Sequence, residues 1–457
     1  MTDNFIKESF CGFVWLDEDN IPFSFQDNIV KLLIKNKTFM PLGENKVLPK
    51  YLKGVTEDNR DIIFMTNEKA QARFHLAGFG TPMYILSRSN MIKTDLSFFD
   101  KISFVGKTIN SIHNPSVVFD SEFGYGDTEK INKGEIMLKT KPSNQTTKTI
   151  PVKILGTDAE FIYGVNTTMR FGNSADNSLG EVNSYISLVF KQHQPIEKII
   201  DYYKIILRLV RFMVGQQNVA FDRIDLFQWN ELENVYERRS NCIIKTSYKN
   251  TATKKPSNTI NIHDIDEYIQ KFINMFSDDD FSLDYLPKNN EDINSVDYNV
   301  VKNICTSLEF EYDKSDINKI KIKQLNPLIK SVKQIVEDFK IQNNEWFDER
   351  LNNYIIGNIN HWQMPATKQF LLLYENNKDQ LLDLCFGNGF RKDIEVSEDS
   401  IGVFVKLRND ITHGDKPPIT QDDANFCYIM MALIYCSLLT RAGLDKKDIK
   451  AIIDKMF

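Results

Sequence analysis

The first 190 residues alternate between apolar and polar positions in short runs, and turn-forming residues separate the runs. Alternation with a period of two is typical of half-buried antiparallel strands. No stretch of helical length interrupts these runs, which argues against parallel βαβ units. We therefore expect an antiparallel β-sandwich or barrel. The clearest runs are 11–16, 51–56, 61–66, 83–87, 102–106, 148–155, 160–165 and 184–190.

One helix is predicted beside this β-rich region. Across residues 195–214, apolar side chains recur at three- and four-residue steps and form one broad apolar face. Pro195 suits the first helical turn, where its missing N–H would be unpaired in any case. Gly215 is a suitable end. Residues 219–227 are expected to return to the sheet.

The pattern changes to helical periodicity after about residue 261. A polar segment at 248–258 is the best domain boundary. Pro327 should interrupt or kink the third of the helices that follow. The chain is thus predicted to be α+β, with a β-rich domain over 1–250 and an all-α helical bundle over 261–457. The predicted helices are 265–276, 296–312, 317–341, 346–359, 367–385, 397–412, 421–441 and 446–456.

Composition narrows the class of protein. Among 457 residues there are 56 Lys plus Arg and 62 Asp plus Glu, giving a net charge of −6. Domains that coat nucleic acid without preference usually have a pI above ~9, so this class is disfavoured, although a local basic groove is not. The six cysteines contain no C-x-x-C pair, so neither a zinc knuckle nor a disulfide framework is predicted. Their spacing suits reduced cytosolic thiols.

The sequence also predicts a soluble, cytoplasmic protein without a membrane span. The N-terminal residues include Asp and Glu and show no apolar signal-peptide core. The apolar stretch 428–439 is shorter than the ~20 residues that a transmembrane helix needs.

The most informative segment is I-G-V-F-V-K-L-R-N-D-I-T-H-G-D, residues 401–415. As a helix it has a buried stripe made of Phe404, Leu407 and Ile411. A second, polar face carries Lys406, Asn409, Asp410 and His413. Arg408 lies five residues before His413, which places the two roughly 140° apart and ~7.5 Å along the axis. Gly414 should end the helix just after His413.

This Arg and His are suitable groups for metal-free cleavage of RNA. A His with a pKa near ~6.5 exchanges a proton at neutral pH, and such a transfer contributes about 10²–10⁴ in rate. The Arg guanidinium offers a planar donor fork for phosphate oxygens and stabilises the charge that builds on the phosphorane. The attacking group is the RNA 2′-hydroxyl, so the chemistry needs no external nucleophile, metal or other cofactor.

A structural interpretation accounts for the same residues. R-x4-H is a short pattern that arises by chance in many chains. Asp410 could hold His413 at the i+3 position, and His413 could be a cation favoured by the helix C-terminus. On spacing alone, both interpretations stay open.

The run L-R-N-D-I-T-H-G at 407–414, followed by a polar turn and a long apolar helix that ends in L-T-R-A-G-L at 439–444, resembles the HEPN superfamily. HEPN ribonucleases are helical bundles with R-x(4–6)-H and often a polar residue after the Arg. Arg408, Asn409 and His413 match that motif residue by residue. The resemblance implies a homodimer in which two motifs face each other across a cleft.

The first half resembles the companion region of one HEPN branch, the ApeA-like proteins of bacterial anti-phage defence. The matching features are G-F-V-W at 12–15, the run 29–34, L-K-G-V-T at 52–56 with the run 61–66, and the strand 184–190 with its helix 195–214. This resemblance implies a sensing or regulatory domain that a phage protein could trigger. Residues 317–360 depart from a minimal four-helix HEPN bundle.

Several further residues are candidates with two interpretations each. Glu309 could orient Arg408 or His413, or could be a solvated ion-pair partner. Lys406 and Lys416 could contact RNA phosphates, or could be solvated surface groups. The other histidines have no metal-ligand spacing around them, so ordinary structural roles are expected for His75, His113, His193, His263 and His361.

Three functions are weighed on these grounds. The first is a HEPN endoribonuclease of anti-phage defence that cuts host or phage RNA, including tRNA as a possible target, and leaves 2′,3′-cyclic phosphate and 5′-hydroxyl ends. The second is a non-catalytic HEPN protein for dimerisation and ligand binding, with a β-rich module that binds a protein partner. The third is a carbohydrate-binding β-sandwich joined to a helical adaptor.

Overall fold

The computed structural model describes residues 9–16, 19–33, 46–66, 71–72, 76–89, 93–123, 136–169, 180–246, 258–289, 291–292, 295–343, 347, 349–360, 365–385 and 394–457. The chain forms two compact units. The β unit comprises Met1–Val210, Asn218–Pro256 and Asn261–His263, and the helical unit comprises Arg211–Gln217, Ser257–Ile260 and Asp264–Phe457. The predicted boundary at 248–258 lies almost entirely outside the described residues.

Strands dominate the described part of the β unit. Thirteen of them form one sheet, in the order β13-β14-β15-β10-β16-β17-β9-β6-β5-β1-β2-β3-β8, and neighbouring strands are antiparallel. The strands are β1 (Ser9–Leu16), β2 (Asp19–Gln26), β3 (Ile29–Leu33), β4 (Lys46–Val47), β5 (Tyr51–Thr56), β6 (Asp61–Met65), β7 (Gln71–Ala72), β8 (Leu76–Gly80), β9 (Met83–Ser87), β10 (Phe98–Val105), β11 (Phe119–Phe123), β12 (Ile136–Thr140), β13 (Lys148–Ile154), β14 (Thr157–Met169), β15 (Gly180–Pro195), β16 (Arg223–Asn230) and β17 (Val235–Ile244).

Aromatic side chains fill the core on one face of this sheet. Because successive residues of a strand point to opposite faces, Phe23 and Phe25 of β2 are both buried while Ser24 between them is exposed. The Phe10 ring stacks on Phe25 at 4.5 Å, and Phe23 meets Phe64 edge-on at 5.1 Å. Such pairs add about 0.5–1.5 kcal/mol each beyond the area they bury.

Two bulges interrupt the pairing near one end of β10. Phe99 pairs with Gln194 and Lys101 pairs with Val189, so residues 190–193 of β15 all lie opposite Asp100. A second shift occurs between Leu226 and Phe227, where β16 pairs with β17. Bulges of this kind redirect side chains and are frequent beside functional sites.

The remaining chain is mostly helical, and the predicted α+β fold, a β-rich part followed by helices, is confirmed. The helices are α1 (Lys107–Ile112), α2 (Ser143–Thr146), α3 (Ile199–Val214), α4 (Ile262–Ile265), α5 (Ile269–Ser277), α6 (Tyr298–Lys314), α7 (Asp316–Gln342), α8 (Glu349–Asn360), α9 (Ala366–Cys385), α10 (Glu398–His413), α11 (Gln421–Ala442) and α12 (Lys446–Met456). The boundary between the two units falls inside α3.

Helix α11 is the core of the helical unit and packs against α6, α9 and α12. It is long and apolar enough to span a membrane by length and composition, but 72% of its apolar window is buried, as in the core helix of a soluble protein. The Tyr435 ring stacks on Phe212 at 4.9 Å, and its hydroxyl donates to the Phe212 carbonyl at 2.8 Å. This contact fixes the last turn of α3 in the helical unit.

Helix α7 runs without a break through Pro327, so the predicted interruption of this helix is absent. Proline has no N–H to donate, but the surrounding turns keep the helical conformation, and the Ser331 hydroxyl donates to the Pro327 carbonyl at 3.0 Å. Leu328, Ile335 and Ile341 on this helix are exposed.

Candidate active site

Helix α10 carries the candidate motif, and caps fix both of its ends. At the N-terminus, the Ser397 hydroxyl accepts from the Ser400 N–H and the Ser400 hydroxyl accepts from the Ser397 N–H, which forms a capping box. At the C-terminus, Gly414 adopts a left-handed conformation with φ 98° and donates to the Asp410 and Ile411 carbonyls. The predicted helix end directly after His413 is confirmed.

The predicted apolar stripe of α10 faces the core. Phe404, Leu407 and Ile411 are all buried, together with Ile401 one turn earlier. The Phe404 ring packs on Phe426 of α11 at 5.4 Å. This packing fixes the rotation of α10 and turns the polar positions outward.

A side chain from a second helix holds the Arg408 guanidinium. Nη2 donates to Oε1 of Glu309 on α6 at 2.5 Å, and Nη1 donates to Oδ1 of the adjacent Asn409 at 3.0 Å. The structure therefore brings Arg408, Asn409 and Glu309 together. Because a guanidinium has five N–H groups, two such bonds leave others directed at solvent, where an anion could accept them.

The thiol of Cys305, four residues before Glu309 on α6, is buried. Burial raises the pKa of Cys305 well above its ordinary value, and the nearby charge of Arg408 acts in the opposite direction. The thiol is therefore neutral.

His413 ends α10 and is exposed. Within the described part of the chain, no residue hydrogen-bonds its ring, so the predicted i+3 contact with Asp410 is not observed. Asp410 is half-buried and shares the polar face. The five-residue spacing places Arg408 and His413 roughly 140° apart and ~7.5 Å along the helix, so one copy does not pair them directly.

The two predicted RNA-binding lysines are exposed. Lys406 lies on α10 itself, and Lys416 lies in the loop that follows it. Neither forms an ion pair with another described residue. Both ammonium groups are therefore accessible to a phosphate group of RNA. This exposure agrees with a role in RNA binding and equally with a role as solvated surface groups.

Sequence reasoning missed a charged network in the helical unit. Arg441 of α11 donates through Nε and Nη2 to both carboxylate oxygens of Glu311, each at 2.8 Å, and through Nη1 to Asp280 at 3.1 Å. Glu311 is buried. Arg441 lies within the L-T-R-A-G-L run, but no sequence signal indicated its partner, which is 130 residues away.

It also missed two histidine arrangements in the β unit. His113, Tyr163 and His263 form a triangle with ring centroids 5.2 Å apart, and the Tyr163 hydroxyl is 2.8 Å from Nδ1 of His263. His193 contacts the Asp100 carboxylate. His75 and His361 lie outside the described residues. In the described ranges, no three His, Cys, Asp or Glu side chains are grouped closely enough to hold a metal ion.

Comparison of this chain with protein-family models, with curated proteins and with solved structures finds no match. Its function has to be argued from its own residues.

Proposed function

We propose that the protein is a HEPN-type endoribonuclease that acts in the bacterial cytoplasm as an anti-phage defence factor. The observation that carries the proposal is the held guanidinium of Arg408. It is fixed by Glu309 and Asn409, about 1.4 helical turns before an exposed His413. The R-x4-H resemblance supplies the reaction class, and this geometry is compatible with it.

In the proposed reaction each residue has a distinct role. The 2′-hydroxyl oxygen attacks the adjacent phosphorus, the bond to the 5′-oxygen breaks, and the products carry a 2′,3′-cyclic phosphate and a 5′-hydroxyl. Arg408 stabilises the charge on the phosphorane oxygens, and Asn409 orients the site. His413 moves the proton as general acid or base. Glu309 holds the guanidinium plane, and Lys406 and Lys416 steer the RNA backbone.

The proposal includes a homodimer through the helical unit. Two proton transfers are needed, one from the attacking hydroxyl and one to the leaving oxygen, and one copy presents one His413. Two motifs across a shared cleft would provide both groups. The β unit would then act as the sensing domain, with a phage protein as its trigger.

The test uses the purified full chain with tRNA and excess EDTA, both with and without extract from phage-infected cells. Arg408→Ala and His413→Ala should each lower the cleavage rate by at least about 10²-fold. Arg350→Ala is the matched control, because it removes an exposed arginine from α8 in the same unit. The proposed site is wrong if either motif variant retains full cleavage of RNA and full toxicity in cells.

A second function is supported by the same ion pair. Because Glu309 already neutralises Arg408, the pair could serve only to hold α6 against α10 in a non-catalytic protein that dimerises and binds a ligand. This function predicts no RNA cleavage in activated extract. It also predicts that Arg408→Lys, which keeps the charge but loses the fork, preserves activity in cells, whereas an RNA-cleaving site would lose it.

A further inference from the structure

A second built site lies in the β unit, where the bulge of β15 opens a cavity of about 480 Å³. This volume is within the range of small-molecule sites, roughly 300–1,000 Å³. The proposed nuclease reaction uses none of its residues. The cavity is lined by Asp100, Phe190, Lys191, Gln192, His193, Trp229 and Tyr236.

Asp100 organises this site from below. Its side chain is only 6% exposed, and its carboxylate has two fixed partners. Oδ2 accepts the backbone N–H of Trp229 at 2.7 Å, and Oδ1 accepts from Nδ1 of His193. The Asp100 carboxylate therefore anchors the His193 ring through Nδ1, and both side chains line the cavity.

The other wall of the cavity is aromatic. Trp229 is 39% exposed, and Tyr236 meets it edge-on with ring centroids 4.8 Å apart. Below them, the Gln228 amide donates to the Asp95 carbonyl at 2.6 Å and to the Phe98 carbonyl at 3.1 Å. These bonds hold the strand that presents Trp229 to the cavity.

The rim of the cavity carries an amine, an amide and an imidazole. Lys191, Gln192 and His193 are exposed, and none of the described residues hydrogen-bonds the side chain of Lys191 or Gln192. The lining carries one lysine, Lys191, and one carboxylate, Asp100, so it does not present the cluster of cations that a phosphate group favours.

We propose that this site binds a sugar ring of a neutral glycan. A pyranose has an apolar C–H face that stacks on an indole and an edge of hydroxyl groups that both donate and accept. The Trp229 indole would take the face. The His193 imidazole would hydrogen-bond one hydroxyl group, and Lys191 would donate to another hydroxyl oxygen.

The experiment titrates the full chain with hexasaccharides of glucose, mannose, galactose and N-acetylglucosamine, with AMP and a single-stranded RNA decamer as comparators. Binding is measured by tryptophan fluorescence and calorimetry. At least one hexasaccharide should bind saturably with a dissociation constant below about 10 mM. Trp229→Ala should raise that dissociation constant by about tenfold or more. Trp15→Ala is the matched control, because Trp15 is 43% exposed on β1 and should leave the affinity unchanged.

His193→Ala should also weaken binding of the glycan. Neither Trp229→Ala nor His193→Ala should change RNA cleavage by the motif on α10. The proposal is overturned if no hexasaccharide binds saturably, or if Trp229→Ala binds as tightly as the parent protein. It is equally overturned if only AMP or the RNA binds in a Trp229-dependent way.

Discussion

Replacing Arg441 with alanine should destabilise the helical unit strongly. The Arg441 side chain is 13% exposed and its partner Glu311 is 1% exposed. The two form a bidentate pair with both hydrogen bonds at 2.8 Å, and Nη2 also donates to the Asp280 carbonyl at 2.8 Å. Arg441→Ala would leave the Glu311 carboxylate buried without the cation that hydrogen-bonds both of its oxygens.

The expected decrease in the free energy of unfolding is about 3–5 kcal/mol, the usual result of removing one member of a buried ion pair. It is a large part of the 5–15 kcal/mol that stabilises a typical domain. Burial raises the pKa of Glu311 above its ordinary 4.5, and Arg441 opposes that rise. Without Arg441 the pKa rises further, so the folded variant binds a proton more tightly than the unfolded chain does. Its stability should therefore fall as the pH increases from about 4.5.

The assay is urea unfolding followed by circular dichroism at about pH 5 and pH 7.5, with the loss larger at the higher pH. Replacing both partners by apolar residues, Arg441→Met with Glu311→Leu, should recover most of the stability, because no buried charge then remains. A loss below about 1 kcal/mol, or an equal loss at both pH values, would refute the reasoning.

Three further predictions concern other groups. Arg408→Ala should lower the free energy of unfolding by less than about 1 kcal/mol in the same urea experiment, since its ion pair with Glu309 is partly solvated. A larger decrease would indicate that the pair has a structural role. Burial, with help from the charge of His263, lowers the pKa of His113 to about 4. A His in the unfolded chain takes up a proton near ~6.5, so His113 should lower stability by roughly 1.6 kcal/mol from pH 6.5 to pH 5, and His113→Leu should remove that contribution. Cys11 is the exposed cysteine and the other five are buried, so one thiol should react rapidly with an aromatic disulfide reagent, and Cys11→Ser should remove this fast phase.

Periodicity in the sequence predicted the strands and helices well, because the pattern of burial in this chain follows local geometry. The alternation of β2 and the stripe of α10 are examples. Partners that lie far apart in the sequence could not be predicted in this way. Glu309 and Glu311 are two residues apart in E-F-E, so they point to opposite sides of α6, and only the fold shows that one meets Arg408 and the other Arg441.

The bulge of β15 escaped prediction for a related reason. The predicted strand ended at residue 190, and nothing local shows that residues 190–193 lie opposite one residue of β10. His193 therefore looked isolated in the sequence, although its partner Asp100 is 93 positions away. At Pro327 a local rule predicted an interruption or a kink, and the helix continues through this residue.

The position of Phe212 at the end of α3 also matters for synthesis on the ribosome. Its ring packs against Phe272 at 5.4 Å and against Tyr435 at 4.9 Å, so the nascent chain displays this aromatic cluster before α11 has been made. Exposed apolar surface of this kind attracts chaperones and proteases. A messenger RNA that ends before codon 435 would thus yield a polypeptide prone to degradation.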